Sequence, residues 1–179
     1  MQLPPAEIED SIRRQLEALA AVVADTHHGP LRHVKPHGAL YNMAARESRI
    51  AAAVARAVRA FDASLLLIGL AGSALPVAAE RVGLWSAGEG FVDRAYQADG
   101  TLVPRGEPGA VLRERATILD QALRLVSDGI VVATTGERVR VKVDSLCIHG
   151  DTPGAADLAA DLRATLQGAG VEVRALTRS

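Results

Sequence analysis

Side chains able to move a proton or hold an anion gather in three short stretches. Lys35 and His37 lie in Lys35-Pro36-His37-Gly38-Ala39-Leu40-Tyr41. Glu89, Asp93 and Arg94 lie in Glu89-Gly90-Phe91-Val92-Asp93-Arg94. His149 and Asp151 lie in Cys147-Ile148-His149-Gly150-Asp151-Thr152-Pro153. An imidazole can give or take a proton near neutral pH. A lysine or arginine suits a carboxylate, a phosphate or a developing oxyanion. A His and an Asp two residues apart could act as an acid/base pair or as two metal ligands. Plainer readings stand beside these. Lys35 could simply snorkel, Asp93 and Arg94 could form a surface ion pair worth under ~1 kcal/mol, and Asp151 could favour a helix N-terminus. Asn42 reads as a helix-start residue, Arg105 as a loop arginine, Cys147 as a buried thiol and His27-His28 as exposed punctuation.

The elements that must position these groups alternate between strand and helix. Ile8, Ile12, Leu16, Leu19 and Val23 recur at helical spacing after Pro4-Pro5. Leu31 to Lys35 alternates as a short strand that sends Val34 to one face and His33 and Lys35 to the other. Ile50, Val54, Val58 and Phe61 predict a helix, and the apolar run from Ser64 to Leu70 predicts a strand covered on both faces. A short helix near Ser73 to Arg81 and a strand over Gly83 to Glu89 follow. Gly90 to Pro108 is a long polar loop, the kind that often carries function. Val111 to Val126 reads as helix, Ile130 to Val132 with Arg138 to Val141 as a hairpin, and Val143 to His149 as a strand with Ser145, Cys147 and His149 on one face. Thr152-Pro153 opens a helix to about Gln167, and Val171 to Leu176 reads as a last strand. This alternation implies an α/β fold with a mostly parallel sheet. In such folds the strand-to-helix turns are where ligands bind, so the three stretches are expected to converge on one rim.

The totals narrow the function. At 179 residues the chain suggests one domain spanning 1–179. Twenty basic and 21 acidic residues give a net charge of −1, which argues against a nucleic-acid or membrane-surface role. Aromatic content of 3% disfavours base stacking. One cysteine permits no internal disulfide and fits a reducing cytoplasm. No P-loop, zinc signature or dinucleotide fingerprint is present; Gly69-Leu70-Ala71-Gly72-Ser73 follows a strand but lacks that glycine spacing.

Taken together, His33-Val34-Lys35-Pro36-His37-Gly38-Ala39-Leu40-Tyr41-Asn42, the stretch from Glu89 to Arg105 followed by Gly109-Ala110, and Leu146 to Pro153 resemble the LamB/YcsF family. Val92 stands where the family usually has Ala. Members are described as the A subunit of the ATP-dependent 5-oxoprolinase. The resemblance implies a (β/α) barrel of the glycoside hydrolase/deacetylase type, seven-stranded in the family. It also implies opening of the lactam 5-oxo-L-proline to L-glutamate with ATP hydrolysis, alongside subunits B and C. A divalent metal could accompany the ATP. Carried over block by block, His37, His149 and Asp151 would be catalytic, and Lys35, Glu89, Asp93 and Arg94 would bind substrate. The family's opening blocks are absent ahead of Met1-Gln2-Leu3, so the barrel is expected to be incomplete, lacking its N-terminal third. Two other readings remain: a metal-assisted deacetylase or amidohydrolase on the same barrel, and an inactive, truncated or assembly-only subunit.

Overall fold

The computed structural model describes residues 4–26, 29–150 and 154–176. The chain divides into two compact units, Met1–Ala87 and Gly88–Ser179.

In the first unit, helix α1 (Pro5–Ala24) starts on Pro5 with Glu7 in its first turn. Both choices suit a helix N-terminus, since proline lacks only an unused N–H and an acid complements the exposed N–H groups. Ile8, Ile12 and Leu16 make a buried stripe at a spacing of four and pack against α3 (Ser48–Phe61). Arg56 of α3 ties the rim of this contact by donating from Nε to Glu9 at 3.1 Å. Helix α3 is covered nearly all round, with Ala53, Ala55 and Val58 wholly buried. Its small alanines let α1, α2 (Gly38–Arg46) and α4 (Ala74–Arg81) pack closely on it.

Strand β1 (His33–Val34) pairs in parallel with β2 (Leu66–Leu70), His33 opposite Leu66 and Val34 opposite Leu67. Val34 packs on the helical core while His33 is exposed, as the alternation predicts. Gly69 permits the return into α4, because a Cβ there would lie 3.0 Å from the Leu75 side chain.

In the second unit, the C-terminal part of β3 (Trp85–Phe91) pairs in parallel with β6 (Ser145–Cys147). Asp144 extends that pairing. Its Oδ2 accepts from Gly88 N at 2.9 Å, and its own N–H donates to Gly88 O at 2.7 Å. Helix α5 (Arg115–Leu123) runs on into a π-helical turn, Arg124–Asp128, which Gly129 ends at φ +64°. Strands β4 (Ile130–Val132) and β5 (Arg138–Arg140) form the expected antiparallel hairpin. Helix α6 (Ala155–Gly168) buries Leu158, Leu162 and Leu166, and packs on α5. The parallel pairs and their flanking helices make this an α/β fold. Among the described residues no helix is long and apolar enough to cross a membrane.

Several expectations need correction. Val171–Leu176 is not a strand: its side chains are largely exposed, and a strand requires a neighbouring edge to bond its backbone. Asn42 does not start a helix. It lies inside α2, where its Nδ2 donates back to Gly38 O at 3.0 Å. The helix expected from Val111 begins only at Arg115. Cys147 is half-buried, not buried. The expected helix start at Thr152-Pro153 and the pair His27-His28 fall outside the described residues.

Candidate active site

The register of β3 on β6 decides which side chains meet. Glu89 lies opposite Ser145, Gly90 opposite Leu146, and Phe91 opposite Cys147. Side chains alternate along a strand, so Glu89, Phe91, Ser145 and Cys147 share one face. Gly90 faces the other way. A Cβ added to it would lie 2.8 Å from Val143 Cγ1 and 3.1 Å from Leu125 Cδ1, so a larger residue would clash. The first face carries the polar groups. Glu89 is only 3% exposed on it. The Phe91 ring lies 5.5 Å from the His149 ring, tilted by 33°.

Asp93 is completely buried just beyond the end of β3. Its carboxylate receives His149 twice. Oδ2 accepts the backbone N–H of His149 at 3.1 Å, and the imidazole Nδ1 lies 2.8 Å from Oδ2 and 3.0 Å from Oδ1. An ionised carboxylate only accepts, so with Asp93 charged Nδ1 carries the proton. The neutral ring then has its lone pair on Nε2. The His149 side chain is 24% exposed, so the ring is reachable from outside. A buried carboxylate holding one imidazole nitrogen while the other nitrogen is the acceptor is a general-base arrangement.

The backbone around Asp93 is held at many points. Val92 N–H donates to Cys147 O at 3.1 Å, and Leu112 N–H donates to Asp93 O at 2.9 Å. Phe91 N–H donates to the Tyr96 hydroxyl oxygen at 2.6 Å. Burial pushes the Tyr96 phenol well above its ordinary value; the Phe91 N–H opposes that shift and nearby Glu89 adds to it. Gln121 of α5 donates from Nε2 to the carbonyls of Phe91, Val92 and Arg94 at 2.9, 3.1 and 2.8 Å.

Arg94 points its guanidinium inward. Nε donates to Ala110 O at 3.1 Å and Nη2 to Val103 O at 2.6 Å, which pins both limbs of the 94–111 loop. Burial lowers its pKa and Arg105 adds to that, while Asp93 opposes them. A guanidinium stays charged regardless.

The remaining expected residues belong to the first unit or fall outside the description. His37 is exposed at the N-cap of α2, in an extended conformation. The Lys35 ammonium lies 5.8 Å from the ring centroid of Tyr41, a buried residue of α2. Asp151 lies outside the described residues. Sequence spacing offers Asp151 as an acid for His149, and the structure also places Asp93 against His149 from 56 positions away. Gln121 carries no motif and escaped sequence reasoning, and Tyr96, inside the stretch from Glu89 to Arg105, was given no role there. The only signal was an amide on the otherwise apolar inner side of a helix. Among the described residues no three His, Cys, Asp or Glu side chains gather as a metal-holding group.

The sequence model of the LamB/YcsF family matches residues 1–179. The chain is 51% identical over 174 residues to the 5-oxoprolinase A subunit of Chloroflexus aggregans, covering 97% of this chain and 69% of that protein. It is 49% identical over 175 residues to the 5-oxoprolinase A subunit of Heliobacterium modesticaldum, covering 98% and 68%. A crystal structure of a lactam utilization protein from Thermus thermophilus superposes with a TM-score of 0.86 at 42% identity, covering 98% of this chain and 70% of that one. By its sequence and its fold alike, the chain belongs to the LamB/YcsF family.

Proposed function

We propose that this chain acts in the ATP-dependent opening of a lactam, 5-oxo-L-proline, to L-glutamate, with Asp93 and His149 as its acid–base unit. The buried carboxylate on Nδ1 of His149 is the single observation that carries this reading. The relatives, each named as the A subunit of 5-oxoprolinase, support the substrate and the need for further subunits, here B and C. The family also implies that the parallel strands belong to a β/α barrel of the glycoside hydrolase/deacetylase type.

A lactam is a resonance-stabilised amide and resists water. Phosphoryl transfer from ATP to its carbonyl oxygen would make that carbon a better electrophile. His149, held by Asp93, then takes a proton from water through Nε2 as the new C–O bond forms. The same proton can pass to the lactam nitrogen as the C–N bond breaks, which leaves the phosphoryl group on the new carboxyl as an acyl phosphate; a second water then releases inorganic phosphate and gives L-glutamate. Asp93 stabilises the intervening imidazolium by its charge.

Roles for the other expected residues remain part of the proposal. Lys35 holds the carboxylate or a phosphate of a ligand. His37 is a second candidate for proton transfer, Glu89 orients a polar group from the shared face, and Asp151 assists beside His149. Arg94 is already bonded to two carbonyls, so its contribution is to shape the loop and add positive charge. A divalent metal, if required, can arrive on the nucleotide, because magnesium is commonly held by phosphates and one or two carboxylates.

The test is reconstitution of the chain with subunits B and C, measuring glutamate and ADP from 5-oxo-L-proline and ATP. Coupled formation of both products, lost in His149→Ala, is expected. No glutamate from the complete mixture, or full activity without His149, rejects the assignment.

A further inference from the structure

We propose that Gln121 is the positioning residue of the Asp93–His149 pair: its side-chain amide grips the backbone on both sides of Asp93 and so fixes the carboxylate against the imidazole. Gln121 is 4% exposed and shares the buried side of α5 with Ile118 and Ala122. An amide in such surroundings is unfavourable unless its protons are bonded. Here they are bonded, and all to one segment. The two N–H groups are shared among the carbonyls of Phe91, Val92 and Arg94, at 2.8 to 3.1 Å.

That distribution is selective. The carbonyl left out is that of Asp93, which takes the Leu112 N–H instead. Residues 91, 92 and 94 are therefore anchored to a helix, while residue 93 is anchored to the far limb of the loop. With both flanking peptides held, the Cα–Cβ bond of Asp93 has one direction, which limits where its carboxylate can reach. In that direction its carboxylate meets both the backbone N–H and Nδ1 of His149. An aliphatic side chain at 121 would fill the same space and supply no donor. A glutamate would aim a second carboxylate at three carbonyl oxygens.

The inference rests on the pair being the acid–base unit, yet its test needs no turnover, so the two can fail separately. Long-range proton–nitrogen NMR of the isotope-labelled 179-residue chain reports the tautomer of His149 when the ring is neutral. The unsubstituted chain is expected to show the Nδ1–H form. In Gln121→Met, of similar length and without donors, that fixed tautomer is expected to give way to a mixture with Nε2–H. Ile118→Val, a change on the same buried face that touches no amide, is expected to leave it intact. An unchanged Nδ1–H tautomer in folded Gln121→Met overturns the proposal. Should that variant fail to fold, Gln121→Asn decides in the same way, because its shorter arm cannot span the three carbonyls. Couplings across the hydrogen bonds, from the Gln121 amide to the carbonyl carbons of Phe91, Val92 and Arg94, need no substitution, and their absence in the unsubstituted chain also overturns it.

Discussion

Asp93 meets His149 through Nδ1, at 2.8 and 3.0 Å, and so leaves Nε2 on the opposite edge of the ring. The carboxylate is buried and the imidazole is partly exposed. That order, from interior acid to accessible base, gives the pair a direction. On the proposed reading the charge of an ionised Asp93 would sit inside, where water does not screen it, and the proton would be exchanged outside.

Asp93→Asn separates orientation from charge. The amide oxygen can still accept the His149 backbone N–H, so the fold should persist. An asparagine that turns its NH2 toward Nδ1 stabilises the wrong tautomer, and one that does not still lacks the charge that favours an imidazolium. Turnover by the reconstituted complex should fall by about 10²- to 10⁴-fold. Undiminished rates from a well-folded Asp93→Asn variant would remove the pair from the chemistry.

Gly90→Ala tests the packing beneath the site. The added Cβ would come within 2.8 Å of Val143 Cγ1 and 3.1 to 3.2 Å of the Leu125 methyls. The φ of Gly90 is not positive, so the obstacle is volume and not backbone strain. Overpacking of this kind costs about 1–3 kcal/mol. Urea unfolding should show that loss, and adding Val143→Ala should recover part of it. A loss equal to the sum of the two single substitutions would mean that the contact does not matter.

The contrast between what was and was not legible in the sequence follows from range. Ile8, Ile12 and Leu16 announce their helix because burial on a helix repeats locally. The alternation of Ser145, Cys147 and His149 was readable for the same reason. The partner of His149 was not, because it lies 56 positions away, and the three bonds of Gln121 reach back 27 to 30 positions. Val171–Leu176 misled because alternation reports what a strand would bury but not whether an edge waits for it. Arg94 sits in a motif-rich stretch and invites a ligand role, while its hydrogen bonds to Val103 and Ala110 concern the loop.

Arg94→Lys distinguishes these uses. A lysine retains the charge but cannot fork to two carbonyls. Loss of those bonds should cost about 1–3 kcal/mol and make the stretch between Gln97 and Gly109 more sensitive to protease. If loop shape is its main role, substrate KM and turnover should worsen together. A change confined to KM, with stability and proteolysis unaltered, would point instead to direct contact with an anionic substrate.

Tyr96 predicts how the fold responds to alkali. Its phenol is held protonated in the folded chain above the ordinary value of 10.0, chiefly because burial penalises the phenolate. The folded state thus keeps a proton that the unfolded state gives up. Below pH 10.0 both states are protonated and the contribution is intact. As pH rises beyond that value the unfolded chain ionises, and stability should fall with a slope of up to about 1.4 kcal/mol per pH unit. Tyr96→Phe removes the ionisable group and also the acceptor of the Phe91 N–H. It should therefore lower stability at neutral pH by about 1–3 kcal/mol and flatten the alkaline decline. Urea midpoints at neutral pH and at several values above 10.0 decide it: parallel alkaline slopes for the two chains would show that another group drives the loss.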